Sequence, residues 1–320
     1  MYPRISDIFP DLFGFNFPIP IHSFGAMVAV GFLLAAWVSG KELDRRHRAG
    51  LIGSVRVPVR RKKGQKEKKG KRVAMQEASP SVLIQPMAII AVISGVAGAK
   101  LFHILENFGR FMQDPLGMIF STGGLTFFGG LIVAALAVIW YLRKKGLHVP
   151  TFADALAPGL ILGYGVGRIG CHLAGDGDWG IAADVASKPG WIPSWLWVET
   201  YPNRIYNPID FPETGVFPTP LYEFLMCAVL FGILWGLRKH PFKTGWLFSL
   251  YVVFTGIERF LIEQIRVNNE FDLFGLTATQ AEIISVTLIL IGVVGLVLTT
   301  KKVMPDHSKE QRAGVVTQRA

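Results

Sequence analysis

LIQPMAIIAVISGVAGAKLFHIL, residues 83–105, is an apolar run whose charged and ionisable side chains wait until its end. About 20 apolar residues are needed for a helix to cross the hydrocarbon core of a bilayer, and this run is long enough. Lys100 and His103, with Glu106 just beyond, come only in its last turns. Similar runs lie near 23–40, 124–142, 151–170, 218–237, 243–262 and 281–299. Together they predict an all-α polytopic membrane protein of about seven transmembrane helices. The hydrophobic fraction of 51% and the mean hydropathy of +0.39 agree with that class. The first run lacks a basic segment before it and a small-residue cleavage site after it, so it reads as a span rather than a removable signal peptide.

The basic residues orient the spans. Of 33 lysines and arginines, 14 fall in 41–82, three in 143–150, three in 238–243 and five after residue 300. A seven-span path puts all of these on one side and leaves Arg4, Arg110, Lys188, Arg204 and Arg266 on the other. Positive-rich loops stay cytoplasmic, which puts the N-terminus outside and the C-terminus inside. The net charge of +10 is accounted for by topology and by attraction to anionic lipid, and nucleic acid is not expected as a partner. Cys171 and Cys227 fall in different helices, and no CxxC or Cys/His metal spacing occurs. Neither a disulfide nor a metal or other cofactor is expected.

One membrane domain is expected over 1–303, with a basic cytoplasmic loop inserted at 41–82. Its part 54–80 is charged and short on aromatics, which reads as disorder, as does the cytoplasmic tail 304–320. Segment 173–217 holds Trp179, Trp191, Trp195, Trp197 and five prolines. It reads as a small non-helical periplasmic cap, with tryptophans at the interface. No inverted pair of broken helices marks a transporter.

Polar residues within the runs gather at their outer ends. Lys100 and His103, then Arg168, Cys171 and His172, then Glu258, Arg259, Glu263 and Gln264 close the outward-running helices. His22, Thr126, Tyr222 and Glu223 open the inward-running ones. A charge at mid-bilayer costs roughly 2.5–3.5 kcal/mol on insertion scales. Snorkelling, with pairs such as Arg259–Glu263 and Glu263–Arg266 on one helix face, accounts for single residues. The whole set is better explained by a binding site in the outer leaflet.

The segment GYGVGRIGCHLAGDGDWG (163–180) is the most unusual. Six glycines in 163–177, and Gly180, surround an arginine and two aspartates. Glycine permits turns and close approach, and arginine offers a planar fork to phosphate oxygens. Asp176 and Asp178 could orient Arg168, act as a base or ligate a cation. The first is preferred, because an oxygen cage needs more ligands than this loop shows. Gly159, Gly163 and Gly167 form a smooth helix face that suits close packing. Cys171 and His172 are neighbours on a helix and point apart, so Cys171 reads as a packing residue.

These residues resemble the prolipoprotein diacylglyceryl transferase family. GRIGCHLAGDGDWG is similar to its signature GR-x-GN-x-x-NGE, PIPIHSFGAM (18–27) to its IHxYG element, and GGLTFFGGLI (123–132) to its GGMSFHGGLIG element. PLYEFL (220–225) resembles its QLYE element and ERFLIEQIR (258–266) its FRxxxExxR element. The resemblance covers about residues 18–300, in the family's order, and implies the family's seven-span, N-outside fold in a bacterial inner membrane, with its site toward the periplasm. It implies transfer of a diacylglyceryl group from phosphatidylglycerol to the lipobox cysteine of a prolipoprotein, with glycerol phosphate leaving. Arg168 and Arg259 match the family's two functional arginines and are assigned to the phosphate. Gly170, Gly175, Tyr222, Glu223, Glu263 and Arg266 also match, Asp176 stands near the signature's glutamate, and His22 lies in the first element. His103, Asp176 or Glu263 could serve as the base. The chain departs from the family's pattern at Phe24, Phe128, Cys171, Phe217 and Pro220, where tyrosine, histidine, asparagine, histidine and glutamine are usual. A paralogue with another thiol or alcohol substrate, or one that only binds lipid or lipoprotein, is the alternative.

Overall fold

The computed structural model describes residues 2–15, 18–58, 75–121, 123–208, 210–268, 270–273 and 276–301. The long helices are α1 (Ser23–Arg48), α2 (Ile84–Glu106), α3 (Phe127–Lys144), α4 (Val149–Ala174), α5 (Thr219–Leu237), α6 (Trp246–Glu263) and α7 (Gln280–Thr299). Four short strands are β1 (Val55–Pro58), β2 (Met75–Ala78), β3 (Glu270–Leu273) and β4 (Leu276–Thr279). They form two antiparallel hairpins, β1 with β2 and β3 with β4. Among the described residues, six helices are long and apolar enough to cross a membrane: α1, α2 with its leading turn from Pro80, α3, α4, α5 and α7. The helix α6 is not among the six. It is 18 residues long and carries Glu258, Arg259 and Glu263 within that length.

The helix that holds the first span continues past residue 40 to Arg48, because its charged end is satisfied internally. Glu42 is fully buried and accepts from Arg45 Nη2 at 2.6 Å and from Arg46 Nε at 2.8 Å. One expectation changes. The segment 54–80 is not wholly irregular, since Val55 pairs with Ala78 and Val57 with Gln76 across β1 and β2. Residues 59–74 between these strands, and the tail 304–320, lie outside the described residues.

The chain divides into two compact units. Among the described residues, one comprises those within Ser39–Phe152. In it, α2 and α3 meet along glycines. A Cβ at Gly98 would stand 2.7 Å from the Gly129 carbonyl oxygen, and one at Gly130 would stand 2.9 Å from that of Gly95. Backbones this close gain dispersion contacts that larger side chains would prevent. At the end of α2, Lys100 Nζ donates to the Ser121 and Gly123 carbonyls at 2.8 and 2.9 Å, and Thr126 Oγ1 donates to Glu106 at 2.7 Å. The His103 ring lies against Gly124, whose φ of +69° admits no side chain there without strain.

The other unit comprises Met1–Val38 and Ala153–Val303. Here α1 and α4 cross at Gly31 and Gly163, where a Cβ on Gly31 would meet the Gly163 carbonyl oxygen at 2.7 Å. Between α6 and α7, a Cβ on Gly256 would stand 2.8 Å from the Ser285 carbonyl oxygen and one on Gly292 would stand 2.9 Å from that of Ser249. Asp154, fully buried in α4, caps another helix: its carboxylate accepts from the backbone N–H groups of Gly245 and Phe248 at 2.8 Å, at the start of α6. The helix N-terminus leaves such donors open and carries positive dipole charge, which makes a buried carboxylate acceptable. Segment 175–217 has a small core of its own, with Trp179, Tyr201 and Val216 buried and Phe211 packed on them. It contains one helical turn, Ser194–Trp197.

Candidate functional site

The unit holding α4, α5 and α6 gathers three arginines and three carboxylates in alternation. Arg168, near the end of α4, donates from Nη1 to Asp178 and places Nε 3.2 Å from Glu223 Oε2. Glu223, on α5, stands with its other oxygen 3.4 Å from Arg259 Nη1. Arg259, on α6, donates from Nη2 to Glu263 at 2.9 Å, one turn on. Asn268 Nδ2 donates to the second Glu263 oxygen at 2.6 Å. At the other end, Arg266 Nη2 donates to Asp178 at 2.5 Å. The order is therefore Arg266, Asp178, Arg168, Glu223, Arg259, Glu263. Tyr164, one turn before Arg168, accepts from its Nη2 at 3.0 Å and donates to Glu223 at 3.2 Å. Glu223 is fully buried, while the Arg168 and Arg259 side chains keep 17% and 22% exposure.

Local structure explains the convergence. After α4 the backbone turns at Gly175 and Gly177, with φ of +60° and +101°, values that only glycine adopts without strain. This turn brings Asp178 back toward Arg168. The next residues are stitched down: Ile181 N–H donates to the Ile265 carbonyl at 2.9 Å and Gly180 N–H to that of Phe217 at 2.9 Å. A Cβ on Gly180 would stand 2.6 Å from the Ile265 oxygen. Thr219 Oγ1, at the start of α5, donates to the Asp178 carbonyl at 2.6 Å. The loop is thus tied at once to the beginning of α5 and the end of α6.

The two aspartates of the glycine-rich segment have opposite environments. For Asp178, burial opposes the charge, but Arg168 and then Arg266 outweigh it and hold the carboxyl below its ordinary value. For Asp176, burial and then the neighbouring Asp178 charge push the carboxyl above its ordinary value. Asp178, not Asp176, is therefore the residue that orients Arg168. Cys171, Asp176 and Asp178 offer ligand atoms within 4.8 Å of one another. Two guanidinium groups already hold Asp178, so a cation there would meet both of them.

The remaining expected residues have these places. Gly170 packs on α1, where a Cβ would stand 3.0 Å from Phe24 Cα, and Gly175 packs on Tyr201 and Arg204. Tyr222 donates to the Leu196 carbonyl at 2.6 Å. With Ile192, Leu196, Trp197, Phe217 and Ile265 it lines an apolar groove of about 360 Å³. His22 is exposed, and its backbone bridges to Arg4. His103 belongs to the other unit, where Asn107 Nδ2 bonds its carbonyl oxygen at 3.0 Å. Glu263 pairs with Arg259 and Asn268, while Arg266 pairs with Asp178. The roles of Tyr164 and Asn268 carry no signal in spacing or composition.

Comparison with known proteins bears on this arrangement. The family model described as prolipoprotein diacylglyceryl transferase matches residues 62–298. A phosphatidylglycerol–prolipoprotein diacylglyceryl transferase of Vibrio cholerae is 31% identical over 305 residues, covering 94% of this chain and 95% of that protein. One of Aeromonas hydrophila is 30% identical over 298 residues, covering 91% and 90%. One of Corynebacterium efficiens is 29% identical over 269 residues, covering 81% and 72%. With a family model spanning most of its length and relatives matched nearly end to end, the chain belongs to the prolipoprotein diacylglyceryl transferase family.

Proposed function

We propose that this protein transfers a diacylglyceryl group from phosphatidylglycerol to the lipobox cysteine thiol of a prolipoprotein, in a bacterial inner membrane with its site toward the periplasm. The observation that carries the reading is the alternating chain around Arg168 and Arg259, in a chain of this family. On this reading α6 is the seventh span, the N-terminus is outside and segment 173–217 is the periplasmic cap.

In the reaction the thiol sulfur forms a bond to the glycerol carbon of the lipid. The bond from that carbon to the phosphate oxygen breaks, and glycerol phosphate leaves. The thiol proton ends on the phosphate. Arg168 and Arg259 hold that phosphate and stabilise the charge that grows on it. Fixed donors act strongly where water is excluded. Asp178 and Glu223 orient Arg168, while Glu263 orients Arg259 and Arg266 fixes Asp178. A free thiol titrates near pH 8.5, so a base speeds the step. Within the unit that holds these arginines, Asp176 and Glu263 are the candidates for it. Tyr222 contributes an apolar wall for substrate, and Gly170, Gly175 and His22 shape the surroundings.

The test is transfer of labelled diacylglyceryl from phosphatidylglycerol to a lipobox peptide by purified protein. Arg168→Ala and Arg259→Ala are each expected to lower turnover by about 10²–10³, the loss typical of a stabilising donor. Full activity in both variants would remove the phosphate assignment. An inactive wild type that nevertheless binds the lipid would favour the binding-only paralogue.

A further inference from the structure

Glu258 is a buried acid beside the ionic chain that takes no part in it, and unlike buried Glu42 and Asp154 it has no partner among the described residues. It is 1% exposed, and neither carboxylate oxygen has a hydrogen-bond partner. It directly precedes Arg259 on α6. The groups that act on it electrostatically are Glu223 and Cys227 from α5, Tyr164 and Arg168 from α4, Tyr251 and Arg259 from α6, and Arg266 just beyond α6. A buried polar group without a partner opposes folding, and an apolar residue of similar size would not. That cost is offset only in a state of the site where Glu258 is bonded.

Charge balance points to that state. Arg168, Arg259 and Arg266 are matched one for one by Asp178, Glu223 and Glu263. An entering phosphodiester brings one more negative charge and takes guanidinium N–H groups for itself. Glu223 faces the same two guanidinium groups, Arg168 and Arg259, with the Tyr164 hydroxyl as a further donor, and it is 0% exposed, so water cannot replace the two charges.

We propose that Glu258 carries a proton and donates it in a hydrogen bond to Glu223 when Arg168 and Arg259 turn from Glu223 to the phosphate of the lipid donor. An O–H···O⁻ bond between carboxyl groups is short and charge-assisted. It supplies from inside the protein what the arginines withdraw, and it is undone when the phosphate leaves. Glu258 is thus a positioning residue that acts through Glu223 and the arginines, not on the reacting atoms. The inference rests on the reading of Arg168 and Arg259 as the phosphate clamp.

The experiment compares wild type, Glu258→Gln and Glu258→Met, each purified in detergent. Phosphatidylglycerol binding is measured by calorimetric titration, transfer to a lipobox peptide by kinetics, and the unfolding midpoint by a thermal scan. Gln retains an N–H donor toward Glu223, whereas Met retains the volume without a donor. The Met variant is expected to bind phosphatidylglycerol about tenfold or more weakly, within the usual range of coupling between sites. Its KM should rise in step and its unfolding midpoint should equal or exceed that of wild type. The Gln variant is expected to stay within about threefold of wild type in affinity, since the donor is retained. A Met variant that binds like wild type overturns the proposal, and so does a Gln variant that binds as weakly as Met. A Met variant that does not fold would show Glu258 bonded in the resting protein, which also overturns it. Wild type that binds the lipid but transfers nothing would sink the transfer reading and leave this one standing.

Discussion

At the residue scale, Asp176 and Asp178 show how two identical side chains two positions apart come to opposite electrostatics. The folded state holds Asp178 below its unfolded value, through Arg168 and Arg266 against the effect of burial. Its stabilisation is therefore present above the ordinary carboxylate range and is lost as pH falls through the folded value. Asp178→Asn is expected to cost on the order of 1–3 kcal/mol at neutral pH. The gap to wild type should narrow as pH drops below about 4. Asp176 has the reverse sign: burial and Asp178 raise it, so its folded form keeps its proton more firmly than the unfolded chain. Its contribution to stability falls as pH rises through the window between the two values. Asp176→Asn should leave neutral-pH stability unchanged or slightly higher. Denaturation of both variants across pH decides the matter, and a larger loss at Asp176 than at Asp178 would contradict it. Arg168, Arg259 and Glu263 were legible in the sequence because charges stand out in apolar runs. Choosing Asp178 over Asp176 was not possible there, because φ at Gly175 and Gly177 decides which carboxyl turns back.

At the element scale, close helix crossings and one cross-helix cap do most of the positioning. The four-residue spacing of Gly159, Gly163 and Gly167 announced a smooth face on α4, and Gly163 is where α1 meets it. The role of Asp154 was not announced, since its partners lie 91 and 94 residues away in sequence. Asp154→Ala would leave the Gly245 and Phe248 N–H groups without acceptors in a buried place. It is expected to destabilise by about 2 kcal/mol, the upper end for a lost helix cap. The unfolding midpoint in detergent measures this, and an unchanged midpoint would show that the cap does not support α6. Because α6 carries Arg259 and Glu263, the same variant should also lose transfer activity.

At the scale of the whole molecule, the basic loops predict which side of the membrane each loop faces, and thiol labelling checks it. Both native cysteines are buried, so a membrane-impermeant thiol reagent should find little background. Ser187→Cys, in the exposed part of 175–217, is expected to react in intact cells, and Ser54→Cys only after the membrane is opened. The reverse pattern would invert the orientation drawn from the basic loops. That orientation follows from lysine and arginine placement, so it is read from the sequence.

The sequence by itself determined the class of this protein. Long apolar runs can be satisfied only as helices in a bilayer, and ordered motifs from residue 18 to about 300 carry the family. It also showed that polar side chains collect at helix ends. The tertiary structure alone decided which of them bond to one another. Arg168, Asp178, Glu223, Arg259, Glu263 and Arg266 come from three helices and two loops, and their alternation depends on turns and crossings that no spacing encodes. The feature hardest to see in advance was Glu258. In sequence it is one more acid beside an arginine, and only the packing around it shows a carboxyl with nothing to bond.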